Sequence, residues 1–86
     1  MLRISEAGTV NKRVILKLEG RIAGPWVAEM LKACEQFLRE HRTLQLDLAD
    51  VSFLDQIGTA AISSLKLRGV FLENCSPFVT EQLKNT

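Results

Sequence analysis

Apolar and polar positions along the chain switch between two periods, and the switches mark the elements. Leu2 and Ile4 alternate with Arg3 and Ser5, which predicts a short strand with one buried face. Residues 7–12, with Gly8 and Asn11, read as a turn, and the β-branched, apolar run at 13–19 (RVILKLE) reads as a second strand completing a hairpin. Residues 20–24 form a connection that carries Arg21 and Ile22. The period then becomes helical. Gly24-Pro25 is a suitable start, and Trp26, Val27, Met30, Leu31, Cys34, Phe37 and Leu38 follow one helical face, with Glu29, Lys32, Glu35, Gln36, Arg39 and Glu40 opposite. Leu44, Leu46 and Leu48 alternate with Gln45, Asp47 and Ala49, a third strand, after which Val51, Phe53 and Leu54 anchor a loop. A shorter helix is expected over 56–68, its inner face formed by Ile57, Ala60, Ala61, Ser64 and Leu65, and Gly69 ends it. Val70, Phe71 and Leu72 make a fourth strand. Ser76-Pro77 opens a last helix, with Ser76 as N-cap and Phe78, Val79 and Leu83 on its apolar face.

The order β-β-α-β-α-β-α describes an α/β fold. Right-handed crossovers make the strands around the two longer helices parallel and leave the first strand antiparallel at an edge, giving a mixed, mostly parallel four-stranded sheet. The third strand is apolar on one face and polar on the other, whereas a strand covered on both faces is apolar throughout. The helices are therefore expected mainly on one side of the sheet. No repeat or low-complexity segment divides the chain, so residues 1–86 read as one small domain.

Composition narrows the possibilities. Hydrophobic residues make up 47% of the chain, enough for one core and too many for a disordered segment. Eleven Lys and Arg against ten Asp and Glu give a net charge of +1, without the concentrated basic face of a nucleic-acid binder. No apolar run reaches the ~18 residues that span a bilayer, so no membrane insertion is expected. The opening MLRISEAG lacks the apolar core of a signal peptide, and the expected compartment is the cytoplasm. Two cysteines, Cys34 and Cys75, and one histidine, His41, are not in metal-ligand spacing; no metal and no cofactor is expected.

Catalytic groupings are equally sparse. His41, the only base of its kind, lies between Glu40 and Arg42 at a helix end, away from any serine or cysteine in sequence. Asp47, Asp50 and Asp55 cluster in sequence, but alternation sends Asp47 to the polar sheet face, and the other two lie on the loop. Glycine-rich phosphate motifs are absent. No enzymatic activity is expected.

What remains is SFLDQIGTAAI, residues 52–62, where a strand passes into a helix at Asp55-x-x-Gly58-Thr59. Asp55 can cap the helix by accepting from free N–H groups, and Gly58 suits a tight turn. Such turns at the carboxyl ends of strands are also where α/β folds meet ligands and partners. This stretch resembles the signature of STAS domains, the fold of bacterial anti-sigma-factor antagonists. LEGRIAGPWV before the first helix and VFLENCSPFV into the last agree with it in the same order, so the resemblance covers almost the whole chain. The family's common final strand and helix find no matching residues.

The resemblance implies a protein-interaction module. In the family, the second serine of an Asp-Ser-Ser-Gly motif is phosphorylated by a partner kinase that is also the anti-sigma factor, and phosphorylation blocks binding. Here Asp55 and Gly58 match, Gln56 replaces the first serine, and Ile57 stands where the phosphoacceptor would be; Thr59 is the nearest substitute hydroxyl. The expected contact surface comprises Asp55, Gln56, Ile57, Gly58 and Thr59 with Arg21 and Ile22 of the preceding connection. The implied partner is a serine-kinase-like anti-sigma factor. Two alternatives also follow from the resemblance: an accessory subunit contacting the ATPase of a bacterial lipid-transport complex, and a sensor of small ligands.

Overall fold

A computed structural model describes residues 1–84. The elements are β1 (Leu2–Val10), β2 (Arg13–Ile22), α1 (Trp26–Arg39), β3 (Thr43–Leu54), α2 (Gln56–Leu67), β4 (Phe71–Glu73) and α3 (Pro77–Lys84). They form one four-stranded sheet in the order β1-β2-β3-β4. β1 pairs antiparallel with β2, while β2–β3 and β3–β4 are parallel. Both the mixed sheet and the helix-covered face match the expectation from alternation. Val14, Leu16 and Leu18 of β2 and Leu44, Leu46 and Leu48 of β3 are buried beneath the helices, and Ile15, Lys17, Gln45 and Asp47 between them stay half-exposed on the open face. Each buried leucine contributes about 1.5–3 kcal/mol.

Three boundaries differ from the sequence reading, each for a reason that pattern alone does not carry. The first turn is only Asn11-Lys12, both with positive φ (52° and 67°), and β1 reaches Val10 by absorbing a bulge between Glu6 and Gly8. Positive φ at both central residues is the tight hairpin geometry that matches strand twist. β2 continues through Ile22, so the connection to α1 shrinks to residues 23–25. β3 runs unbroken to Leu54, where a loop was expected after Ala49. It does so by taking up extra residues as bulges, with register shifts opposite Lys17/Glu19 and Gly20/Arg21. The first of these is held by Asp47, whose Oδ1 accepts from the Ala49 N–H (3.0 Å) and from Asn74 Nδ2 (3.1 Å). These bonds hold the Asp47 carboxyl below its ordinary pKa, the Ala49 amide being the largest cause.

α1 buries Val27, Met30 and Cys34, with Leu31, Phe37 and Leu38 packed at the margin; Trp26, expected inside, is 38% exposed. α2 buries Ala61 and Leu65 as expected, but its inward face is rotated from the expected one. Gly58, Ala61, Ile62 and Leu65 are buried at i, i+3, i+4 and i+7, together with Thr59, while Ile57, Ala60 and Ser64 face outward. Ile57 and Ala60 are no less apolar than Gly58 and Thr59, so hydropathy did not choose between the two faces. The close contact of Gly58 with β2, described below, did. At its far end α2 closes with Gly69 N–H to Lys66 O (3.0 Å) and Val70 N–H to Leu65 O (3.1 Å). A bidentate pair from Arg68 to Glu35 (2.8 and 2.9 Å) ties that end to α1. α3 begins as expected, with Ser76 Oγ accepting from Val79 N–H at 3.2 Å. No helix among the described residues is long and apolar enough to cross a membrane.

Candidate functional site

Parallel pairing of β2 and β3 brings the starts of α1 and α2 side by side at the carboxyl ends of those strands. Asp55 joins them. Its backbone is extended (φ −82°, ψ −178°), the conformation of an N-cap. Oδ1 accepts from Gly58 N–H at 2.6 Å, within α2, and Oδ2 accepts from Gly24 N–H at 2.9 Å, in the β2–α1 connection. The Asp55 N–H donates to Ile22 O (3.3 Å), and its carbonyl accepts from both the amide (2.8 Å) and the hydroxyl (2.9 Å) of Thr59. Every polar group of this residue therefore holds backbone together. Gly24 can present its amide to Asp55 because its φ is +57°, which glycine adopts without strain.

Gly58 has a second, independent reason to be glycine. A β-carbon there would overlap the carbonyl oxygen of Ile22. The first turn of α2 thus lies directly on the end of β2, closer than any side chain permits.

These hydrogen bonds, Gly24 first and Gly58 second, hold the Asp55 carboxyl below its ordinary pKa. A lowered folded-state value means the ionised form contributes stability that is fully present above the unfolded pKa of about 3.9. That contribution is lost as pH falls through the lower, folded value. Asp55→Asn is therefore expected to lower the urea midpoint at pH 6 and to flatten its decline below pH 4. A midpoint that falls identically with acid in both proteins would remove Asp55 from this role.

The structure brings Asp55, Gln56, Ile57, Gly58 and Arg21 to one end of the molecule. Gln56 is exposed, and Ile57 is 63% exposed at the second position of α2. Arg21 is exposed, with its guanidinium 4.7 Å from the Phe53 ring centre. Two expected members are corrected. Ile22 is fully buried, because β2 continues past the expected connection and the alternation points this side chain into the core. It serves the site through its carbonyl, not its side chain. Thr59 is 5% exposed and its hydroxyl is spent on Asp55 O, so it offers no accessible phosphoacceptor in the folded helix. Sequence reasoning missed Trp26, which opens α1 beside the Gly24 link and stands partly exposed at this end. It also missed Gln82 of α3, whose Nε2 donates to Leu54 O at 2.9 Å and braces the end of β3. A tryptophan directly after Pro25, where the helix has just begun, was a usable signal for the first. Nothing in the sequence pointed to the second.

The remaining acidic residues are committed elsewhere. Asp47 shapes the β3 bulge, and Asp50 pairs with Lys17 at 3.0 Å. No group of three or more metal-ligating side chains converges among the described residues. What this end of the molecule offers is a rigid surface with an apolar tip.

No family model matches the chain, and a search of curated proteins finds no match. Among solved structures, the anti-sigma factor antagonist SpoIIAA in its unphosphorylated form superposes with a TM-score of 0.72 at 15% identity, covering 98% of this chain and 84% of that one. The chain has the STAS fold. A structure of Mglu also matches, with a TM-score of 0.65 and 27% identity over 87% of this chain, although the match spans 20% of that chain. The STAS fold thus accounts for essentially the whole of this chain. It also confirms the fold that the three sequence stretches implied.

Proposed function

We propose that this chain is a non-enzymatic, cytoplasmic protein-interaction module of the anti-sigma-factor-antagonist type, and that it docks constitutively through the end bearing Ile57. The observation that supports this most is Ile57 itself. A β-branched apolar side chain stands 63% exposed on a turn immobilised by Asp55 and Gly58, at the position where the resembling family carries its phosphoacceptor. Burying it against a partner gains about 25 cal/mol per Å² of apolar surface. With no hydroxyl at 57 and that of Thr59 turned inward, this turn carries no phosphorylation switch, and control passes to the partner. The partner of choice is a serine-kinase-like anti-sigma factor.

Affinity capture from a lysate of the source cell with wild type and Ile57→Asp tests the reading. Aspartate in the first turn suits the helix dipole, so stability should stay within about 0.5 kcal/mol. Partner recovery should fall at least about tenfold, since a charge at the centre of an interface must be desolvated. Equal recovery of the same protein by both would place the interface elsewhere. Capture of a transporter ATPase in place of a kinase-like protein would move the module to transport. Incubating the chain with a captured kinase and ATP should leave its intact mass unchanged; stoichiometric phosphate on Thr59 would overturn the constitutive reading.

A further inference from the structure

The other end of α2 carries a feature that the docking surface does not explain. α2 is 12 residues long, about 18 Å at 1.5 Å per residue, so its last turn is well separated from Ile57. There the helix, the start of β4 and the inner side of α3 line an open groove of about 640 Å³. Its floor is apolar, formed by Val70, Leu72, Leu83 and the sulfur-bearing side chain of Cys75, with Lys66 and Lys84 at its margin. A second hollow of about 420 Å³ shares Lys66 and Leu83 with it and runs over Leu67, which is 90% exposed. The two hollows adjoin at Lys66 and Leu83 and are both open to solvent, and together they are called the channel. Among the described residues the charges lining it are the two lysines, neither forms an ion pair, and no acidic side chain contributes to either lining.

An apolar floor with cationic groups at its margin complements one kind of small molecule: a single hydrocarbon chain ending in an anion. We infer that this channel binds a free long-chain fatty acid, its chain lying along Val70, Leu72 and Leu83 and its carboxylate meeting Lys66 or Lys84. The volume falls in the range of about 300–1,000 Å³ usual for small-molecule sites. It suits one chain better than a two-tailed lipid. The site is independent of the proposed partner surface and stands or falls separately from it.

Cys75 makes occupancy measurable. It lines the channel and is half-buried, whereas Cys34 is fully buried in α1 with its thiol pushed up to about 12 by burial, and so is silent towards alkylation of the folded protein. The experiment measures the rate of Cys75 modification by N-ethylmaleimide at pH 8, by mass spectrometry of the intact full chain, with sodium palmitate below its aggregation threshold. Palmitate should slow labelling at least about tenfold at saturation, and hexadecanol should do so far less. Lys66→Ala with Lys84→Ala should raise the palmitate concentration needed by about tenfold, each protein being compared with its own unprotected labelling rate because Lys66 lowers the Cys75 pKa. Absence of protection by palmitate overturns the inference. So does equal protection by hexadecanol, or protection indifferent to the two lysines, since either would make the channel a merely greasy surface. Protection by a synthetic acidic amphipathic peptide, with none by palmitate, would assign the channel to a protein partner and likewise overturn the fatty-acid site.

Discussion

Gly58→Ala is expected to be among the most damaging conservative changes in this chain, destabilising it by about 1–3 kcal/mol or more. Alanine is normally the better helix former by about 1 kcal/mol, so propensity alone argues for the opposite sign. Sterics decide. The added methyl would overlap the carbonyl oxygen of Ile22, a backbone atom of a central strand that cannot rotate away as a side-chain end would. Relief requires α2 to move off β2. That movement would break both Asp55 bonds, to Gly58 and to Gly24, and disturb the packing of Ile62 and Leu65 beneath the helix. Equilibrium urea unfolding followed by far-UV circular dichroism measures it. A loss below about 1 kcal/mol would show that the helix can shift freely, and the rigid turn proposed for docking would go with it.

The second large effect separates core from surface at two residues that the sequence grouped together. Ile22→Ala should cost about 2–5 kcal/mol, because a fully buried side chain leaves a cavity between α1, α2 and the sheet. Partner affinity of the folded fraction should change little. Ile57→Asp should do the reverse, sparing stability and abolishing capture. Urea midpoints and capture yields for both variants, compared with wild type at a temperature where Ile22→Ala remains folded, check the pair. If Ile22→Ala instead kept full stability and lost the partner, the continuation of β2 to Ile22 would be wrong.

Much of the fold was legible because alternation and helical periodicity are local and the chain obeys both. Strands at Leu2–Ile4, 13–19 and 44–48 and helices from Pro25 and Ser76 follow from spacing alone. With the right-handed crossover they leave one reasonable sheet. The turn at Asp55-x-x-Gly58 was legible as well, since a cap and a glycine three residues apart describe a helix start on their own.

Other properties depend on what lies across space. Which face α2 buries was not settled by hydropathy, because Ile57, Ala60, Ala61, Ser64 and Leu65 present as plausible an inner stripe as Gly58, Ala61, Ile62 and Leu65. The carbonyl of Ile22, 36 residues upstream of Gly58, rotates the helix to the second set and leaves Ile57 in solvent. Asp55 reaches across to Gly24 in the same region, and the continuation of β2 keeps Ile22 inside where a connection was expected. The sequence by itself determined the elements, their order and the missing hydroxyl at position 57. Only the tertiary structure decided that Ile57 faces outward while Ile22 and Thr59 do not. For Ile57 and Thr59 the facing is set by the closest approach of α2 to β2, and for Ile22 by the extension of β2 past residue 20.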